Sequence, residues 1–357
     1  MKQNSVDTAT AWFGALCFFL STVEYMIPKP LPFLRLGLAN LPIMLAVDIL
    51  PLPAFLTLVA IKVLGQGLVG GTLFSYIFVF SAAGSVTSAF LMAGIRKLFK
   101  TRVSWIGVGV AGAFASNAAQ LTLARFWIFG ASAWYIAPPF LAVGTVTGVL
   151  LGAFANVFAE KSEWYADVRA GTFVPAERPE SPVAGNRGGL VRALRVGIGL
   201  ALVLAVMFAP GPYTKGLLFL LSIILLAVDR ARIRWTPVVI MSAGIVFFNL
   251  LTPFGRVLAS PFGLSVTDGA LRAGIEKALT VEGMIFISRW MLRYGIRLPG
   301  KAGMLVTEAF EILSRLTGSG KAKRAKGGGK GRKTADRKRF NPATVIARVD
   351  AVMYGRD

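Results

Sequence analysis

The chain of 357 residues contains no histidine and a single cysteine, Cys17. Without histidine, the commonest metal ligand and the commonest general acid–base are both missing. One cysteine excludes an internal disulfide and any thiolate cluster. Cys17 sits in an apolar run and reads as a buried, inert thiol. Acids are scarce as well: 17 Asp and Glu against 39 Lys and Arg, a formal net charge of +22. Charged residues make up 16% of the chain, against the roughly 25% usual for soluble proteins.

No two acids are adjacent, so the D-D-x-x-D clusters with which prenyl-chain synthases hold magnesium and diphosphate are not there. No G-x-x-x-x-G-K-[ST] loop occurs, which removes ATP hydrolysis by that route. The usual nucleophile–base pairs are missing too. The sequence implies no cofactor, no metal and no catalytic centre.

What fills the chain is apolar. Hydrophobic residues reach 55% and the mean hydropathy is +0.64, more apolar surface than one soluble core could bury. Runs near 20 residues recur, each long enough for a hydrocarbon layer of about 30 Å. They are continuous rather than alternating, which argues against a β-barrel. The pattern predicts an all-α polytopic integral membrane protein with about ten transmembrane helices. The first half reads as six: 7–27, a thinner piece at 38–49, 52–70, 72–98, 104–129 and 134–159. A polar, Pro- and Gly-rich linker follows at 161–189 (TFVPAERPESPVAGNRGG within it). Apolar runs resume at 190–209, 216–228 and 236–254. An amphipathic stretch at 266–279 and a last span at 281–292 come next. Residues 304–316 have helical spacing of Leu305, Phe310, Leu313 and Leu316 and read as an amphipathic surface helix. A basic tail occupies 317–357.

Lysine and arginine in short loops set the orientation. Arg96, Lys97, Lys100 and Arg102 place the loop between spans four and five in the cytoplasm. Arg230, Arg232 and Arg234, and then Arg293, Arg297 and Lys301, are expected on the same side. Both termini then fall in the cytoplasm of a bacterial inner membrane. The tail lacks the interleaved aromatics of a nucleic-acid platform. It reads as resting on anionic lipid, so membrane lipid is an expected partner and nucleic acid is not.

Polar residues inside spans mark candidate function, because a charge at mid-bilayer costs roughly 2.5–3.5 kcal/mol on insertion scales. The first span exits near Glu24. Arg35 and Asn40 then lie at the outer end of the second. Asn117, Gln120 and Arg125 lie in the outer half of the fifth, and Tyr135 flanks the same boundary. Snorkelling explains Lys29, Trp127 and Trp134 but not buried amides. An outward-facing pocket built from Glu24, Arg35, Asn40, Asn117, Gln120, Arg125 and Tyr135 is therefore expected, holding a small or amphiphilic anionic ligand. Lys62 and Gln66, one turn apart in the third span, read as a packed polar contact. Gly144, Gly148 and Gly152 form a small-residue face for close helix packing.

The segment PFLRLGLANLPIML (32–45), followed by a proline-bounded span and a Gly-rich one, resembles the start of substrate-binding S components of energy-coupling factor (ECF) vitamin transporters. With the small-residue spans, PLPFLRLGLANLPIMLA resembles the Gx transporter family, also described as heptaprenyl diphosphate synthase component I. The resemblance implies a six-helix, S-component-like domain at 1–160. GRVLASPFGLSVTDGALRAGIEKAL (255–279) is similar to a segment of the transmembrane T component, implying a T-component-like domain at 190–316. The Ala-Arg-Gly-like motifs that dock ECF-type ATPases are absent; SRWMLRYGIRLPG and the helix at 304–316 stand in their place. The partners implied are ECF-type ATPases or a soluble synthase subunit. The functions that follow are a transporter-like binder, a non-catalytic accessory subunit of polyprenyl diphosphate synthesis, or a structural partner in a membrane redox complex.

Overall fold

The structure, a computed structural model, describes residues 3–26, 36–173, 189–261, 265–293, 303–310, 312–313 and 342–354. The helices are α1 (Gln3–Met26), α2 (Asn40–Ala46), α3 (Leu52–Gly70), α4 (Tyr76–Phe99), α5 (Trp105–Ala124), α6 (Ala133–Lys161), α7 (Glu163–Ala170), α8 (Gly189–Phe208), α9 (Gly211–Val228), α10 (Trp235–Leu250) and α11 (Asp268–Leu292). Then follow α12 (303–310) and α13 (Pro342–Met353). One short antiparallel ribbon, β1 (Val257–Ala259) with β2 (Val266–Thr267), leads into α11.

Helix limits follow local chemistry. Pro51 precedes α3 and Pro53 sits in its first turn, where a missing N–H is tolerated. Gly71 closes α3 at φ +64° and donates to the carbonyls of Gly67 and Leu68. Ser104 caps α5 by accepting from the Gly107 N–H.

Contacts between helices fix the first bundle. Gly14 lies against Ile61 and Gly65 against Phe18, so α1 and α3 are parallel. Lys62 meets Ser85 and Gln66 meets Ser81, so α4 returns antiparallel to α3. Gly84 meets Gln120 and Gly112 meets Met92, which makes α5 antiparallel to α4. Backbone meets backbone where α5 and α6 cross, Gly109 against Gly148 and Gly152 against Ile106, again antiparallel. Thus the ends of α1, α3 and α5 and the starts of α4 and α6 share one end of the bundle.

Among the described residues, six apolar helical stretches are long enough to cross a membrane: 5–25, 52–70, 76–99, 105–161, 190–208 and 211–228. The fourth, of 57 residues, folds back between α5 and α6 at Gly130, whose φ is +54°. The expected count of about ten is not reached by length and apolarity. α2 has seven residues and α10 sixteen, short of the roughly 20 a crossing needs. Apolar side chains face outward along the spans, Phe90, Leu150 and Leu204 among them, as lipid contact requires.

Four expectations are altered. The amphipathic stretch at 266–279 and the span at 281–292 form one continuous helix, α11, packed by α8, α9 and α10. Its burial among protein helices, rather than lipid, tolerates Glu276, Lys277, Glu282 and Arg289. Within the expected linker, α7 buries Trp164, Tyr165 and Val168; Phe13 and Trp164 rings meet edge to face at 5.1 Å. The helix at 303–310 packs along α1, with Ala309 beside Gly14 and Phe310 beside Phe18. The end of the expected tail forms α13, tied to α7 where Asp350 accepts from Ser162 Oγ at 2.6 Å and from the Glu163 N–H at 3.0 Å. The basic stretch 314–341 lies outside the described residues.

The second bundle, α8–α11, docks on the end of the first. Ser288 Oγ of α11 accepts from the Phe74 N–H at 3.1 Å, and Arg289 donates to the Tyr25 hydroxyl. Glu276, Lys277 and Thr280 face Tyr76 and Trp127 across a cavity of about 270 Å³. Ser132, at the turn into α6, bonds Thr252 at 2.7 Å.

Candidate functional site

Polar side chains of five helices converge inside the first bundle. Glu24, in the last turn of α1, is buried; its carboxylate accepts from the backbone N–H groups of Gly37 (3.4 Å) and Leu38 (3.1 Å). Gly37 adopts φ +76°, a conformation costly for residues with a Cβ, and this turn delivers Asn40 to the start of α2. Lys62, 2% exposed, donates from Nζ to Asn40 Oδ1 and to Ser85 Oγ at 2.8 Å. An ammonium at this depth is tolerable only with such partners. Gln66, one turn later, accepts from Ser81 Oγ at 2.9 Å.

The α5 wall carries two amides. Asn117 Nδ2 donates to the Phe140 carbonyl at 2.9 Å, and Gln120 Nε2 donates to Ser116 Oγ at 2.8 Å. Gln120 Oε1 and Ser88 Oγ are buried without a hydrogen-bond partner among the described residues. A buried polar atom left unpaired costs about 1–3 kcal/mol, so these two atoms mark a place arranged for something polar. The cavity that these groups line measures about 30 Å³, room for about two water molecules. It is a narrow, partly open chamber with polar groups on several walls.

Of the seven residues expected from sequence, Glu24, Asn40, Asn117 and Gln120 line this chamber. Arg35 lies outside the described residues. Arg125 and Tyr135 are on the outer surface, Arg125 stacked 5.1 Å from the Trp134 ring. α5 gives way at Arg125 to a five-residue π turn, Arg125–Phe129. At about 100° per residue Arg125 lies about 140° round the helix from Gln120, so the phase of α5 itself turns it away from the amides before the π turn begins. Lys62 and Gln66 make the interhelical polar contacts expected of them, and both also line the chamber. Ser81, Ser85 and Ser88 were missed, though their spacing of four and three places them on one face of an otherwise apolar α4.

Fold and chamber together define a class: a helical, membrane-type protein whose first bundle encloses a charged polar site. Residues 13–158 match the family described as heptaprenyl diphosphate synthase component I. That match covers most of the segment read from sequence as Gx-transporter-like, and less than half of the chain. Residues 191–294 match a family described as a domain of unknown function (DUF8519), which covers α8 to α11. Neither description names an energy-coupling transporter, an S component or a T component. No curated protein and no solved structure matches the chain.

Proposed function

We propose that the first bundle is a ligand-binding module for a small or amphiphilic anionic compound, with the second bundle as its scaffold or coupling surface. The observation that carries this reading is the buried Lys62, held by Asn40 and Ser85 in a chamber where Gln120 Oε1 and Ser88 Oγ have no partner. Lys62 would meet the ligand's negative charge by a charge-assisted hydrogen bond. Asn117 and Gln120 would orient it. Entry requires the chamber to widen, since two waters fill it as it stands. Native mass spectrometry of the full chain, purified in mild detergent, tests this. The wild type is expected to carry a bound small molecule that Lys62→Met and Gln120→Leu lose; the same occupancy in all three, or none in any, sinks the reading.

A second reading is favoured by the family description alone: a non-catalytic membrane subunit of heptaprenyl diphosphate synthesis. The chemistry would then reside in a soluble partner bearing aspartate-rich motifs. Co-purification of such a partner, together with altered prenyl products on deletion, is the expected result. A pull-down containing neither a synthase nor an ATPase would point instead to a structural role in a membrane complex.

A further inference from the structure

A second, larger cavity of about 490 Å³ lies where the two bundles meet, within the size range of small-molecule sites. It is separate from the Lys62 chamber, although Glu24 and Gln66 form a wall common to both. Four arginines line it: Arg232 and Arg234 from the loop after α9, and Arg289 and Arg293 from the end of α11. Between them, Leu226, Val238, Met241 and Ile285 make an apolar floor.

The protein answers only part of this charge: Arg293 acts electrostatically on Asp229 and Arg289 on Glu282. Arg232 and Arg234 have neither an ion pair nor a hydrogen bond among the described residues. Asp229, the nearest acid in that loop, is taken by Arg195, with both contacts at 2.7 Å. Arg289 is bonded to the Tyr25 hydroxyl, a neutral partner. Two carboxyls, Glu24 and Glu282, also reach the cavity wall, so four positive groups stand against two acids. Glu24 is engaged by backbone N–H groups. Glu282 is 2% exposed, and its Oε1 has no hydrogen-bond partner.

We infer that this cavity binds an amphiphile with a phosphate-type head and an apolar tail. The guanidinium groups match phosphate oxygens in geometry as well as charge. The floor takes the tail. The unpaired Glu282 oxygen hydrogen-bonds a hydroxyl on the head, whether a P–OH or a glycerol hydroxyl. The inference stands on this cavity alone and does not depend on the Lys62 chamber.

The test is titration of the full chain, in a neutral detergent, with dodecyl phosphate, and separately with dodecanol and with inorganic phosphate. Saturable binding of dodecyl phosphate is expected. Its affinity should fall at least tenfold in the double variant Arg232→Gln/Arg234→Gln and be blocked by Met241→Trp, which fills the floor and leaves every charge in place. Arg102→Gln, in the exposed loop before α5, should bind as the wild type does. Dodecanol binding as tightly as dodecyl phosphate would reduce the site to a greasy surface and overturn the proposal. So would an unchanged affinity in the double variant. Inorganic phosphate binding equally well would overturn the amphiphile and leave a plain anion site. Organic extraction of the protein as purified from membranes then distinguishes the source: phosphatidylglycerol, or a single-chain phosphate.

Discussion

Lys62 is where one side chain decides most. Its ammonium satisfies Asn40 Oδ1 and Ser85 Oγ at once, so removing it leaves two buried acceptors. Lys62→Met is therefore expected to cost about 1–3 kcal/mol in detergent unfolding measurements while leaving the helix content of the circular dichroism spectrum unchanged. The sequence showed a charged residue in an apolar span but not its partners, because Asn40 is 22 and Ser85 23 positions away. Asp229 gives a prediction in pH. Two hydrogen bonds from Arg195 hold its carboxyl below the ordinary value of 3.8. The charged form is thus favoured by folding, and this contribution is present above pH 3.8 and lost as pH falls through the lower, folded value. Below pH 4 the wild type should lose more stability than Asp229→Asn does; parallel thermal unfolding curves at pH 3 for the two proteins would refute it.

At the scale of elements, close approach and capping set the tolerances. A Cβ on Gly148 would stand 2.8 Å from the Gly109 carbonyl oxygen and from Val110 Cα, and these are backbone atoms that cannot rotate away. Gly148→Val should force α5 and α6 apart at a cost of about 1–3 kcal/mol. Gly197 in α8 has nothing within 4 Å of such a Cβ, so Gly197→Ala should instead gain about 0.5–1 kcal/mol. Reversal of that order in matched unfolding experiments would refute the packing account. Asp350 links α13 to the start of α7, and Asp350→Ala should cost about 1 kcal/mol and speed proteolysis near residue 342. Element limits in the spans were legible from prolines, glycines and apolar runs; 52–70 coincides with α3. Two kinds of element were not. α11 was split in two because its charges look wrong for a span, and only its enclosure by α8, α9 and α10 explains them. α7 and α13 do carry helical spacing, Trp164, Tyr165 and Val168 in one and Ile346, Val349 and Val352 in the other. Each is short, however, and set in a Pro-, Gly- or Lys-rich stretch that reads as linker or tail, and its stability comes from docking.

Across the whole molecule, the two basic loops raise a question that charge counting answers one way and the fold another. Loop charges alone put Arg232, Arg234 and Arg293 on the face opposite Tyr25. Yet all four residues line the cavity between the bundles, and Arg289 reaches the Tyr25 hydroxyl. A charge bias in loops describes how segments insert one by one; it says nothing about arginines retained by a cavity and by aromatic neighbours, as Arg289 is by Tyr25 and Phe286. The two ends of the first bundle are both basic in consequence, with Arg96 pinned at the other by Asp48 at 3.3 Å and by the Trp105 ring. Single cysteines settle which arrangement holds in the membrane. Cys17 is fully buried and should stay silent to a membrane-impermeant maleimide. Tyr25→Cys and Arg232→Cys, in sealed vesicles, should be labelled from the same side, and Arg102→Cys from the opposite one. Labelling of positions 25 and 232 from different sides would separate the two bundles, and with them the arginine-lined cavity.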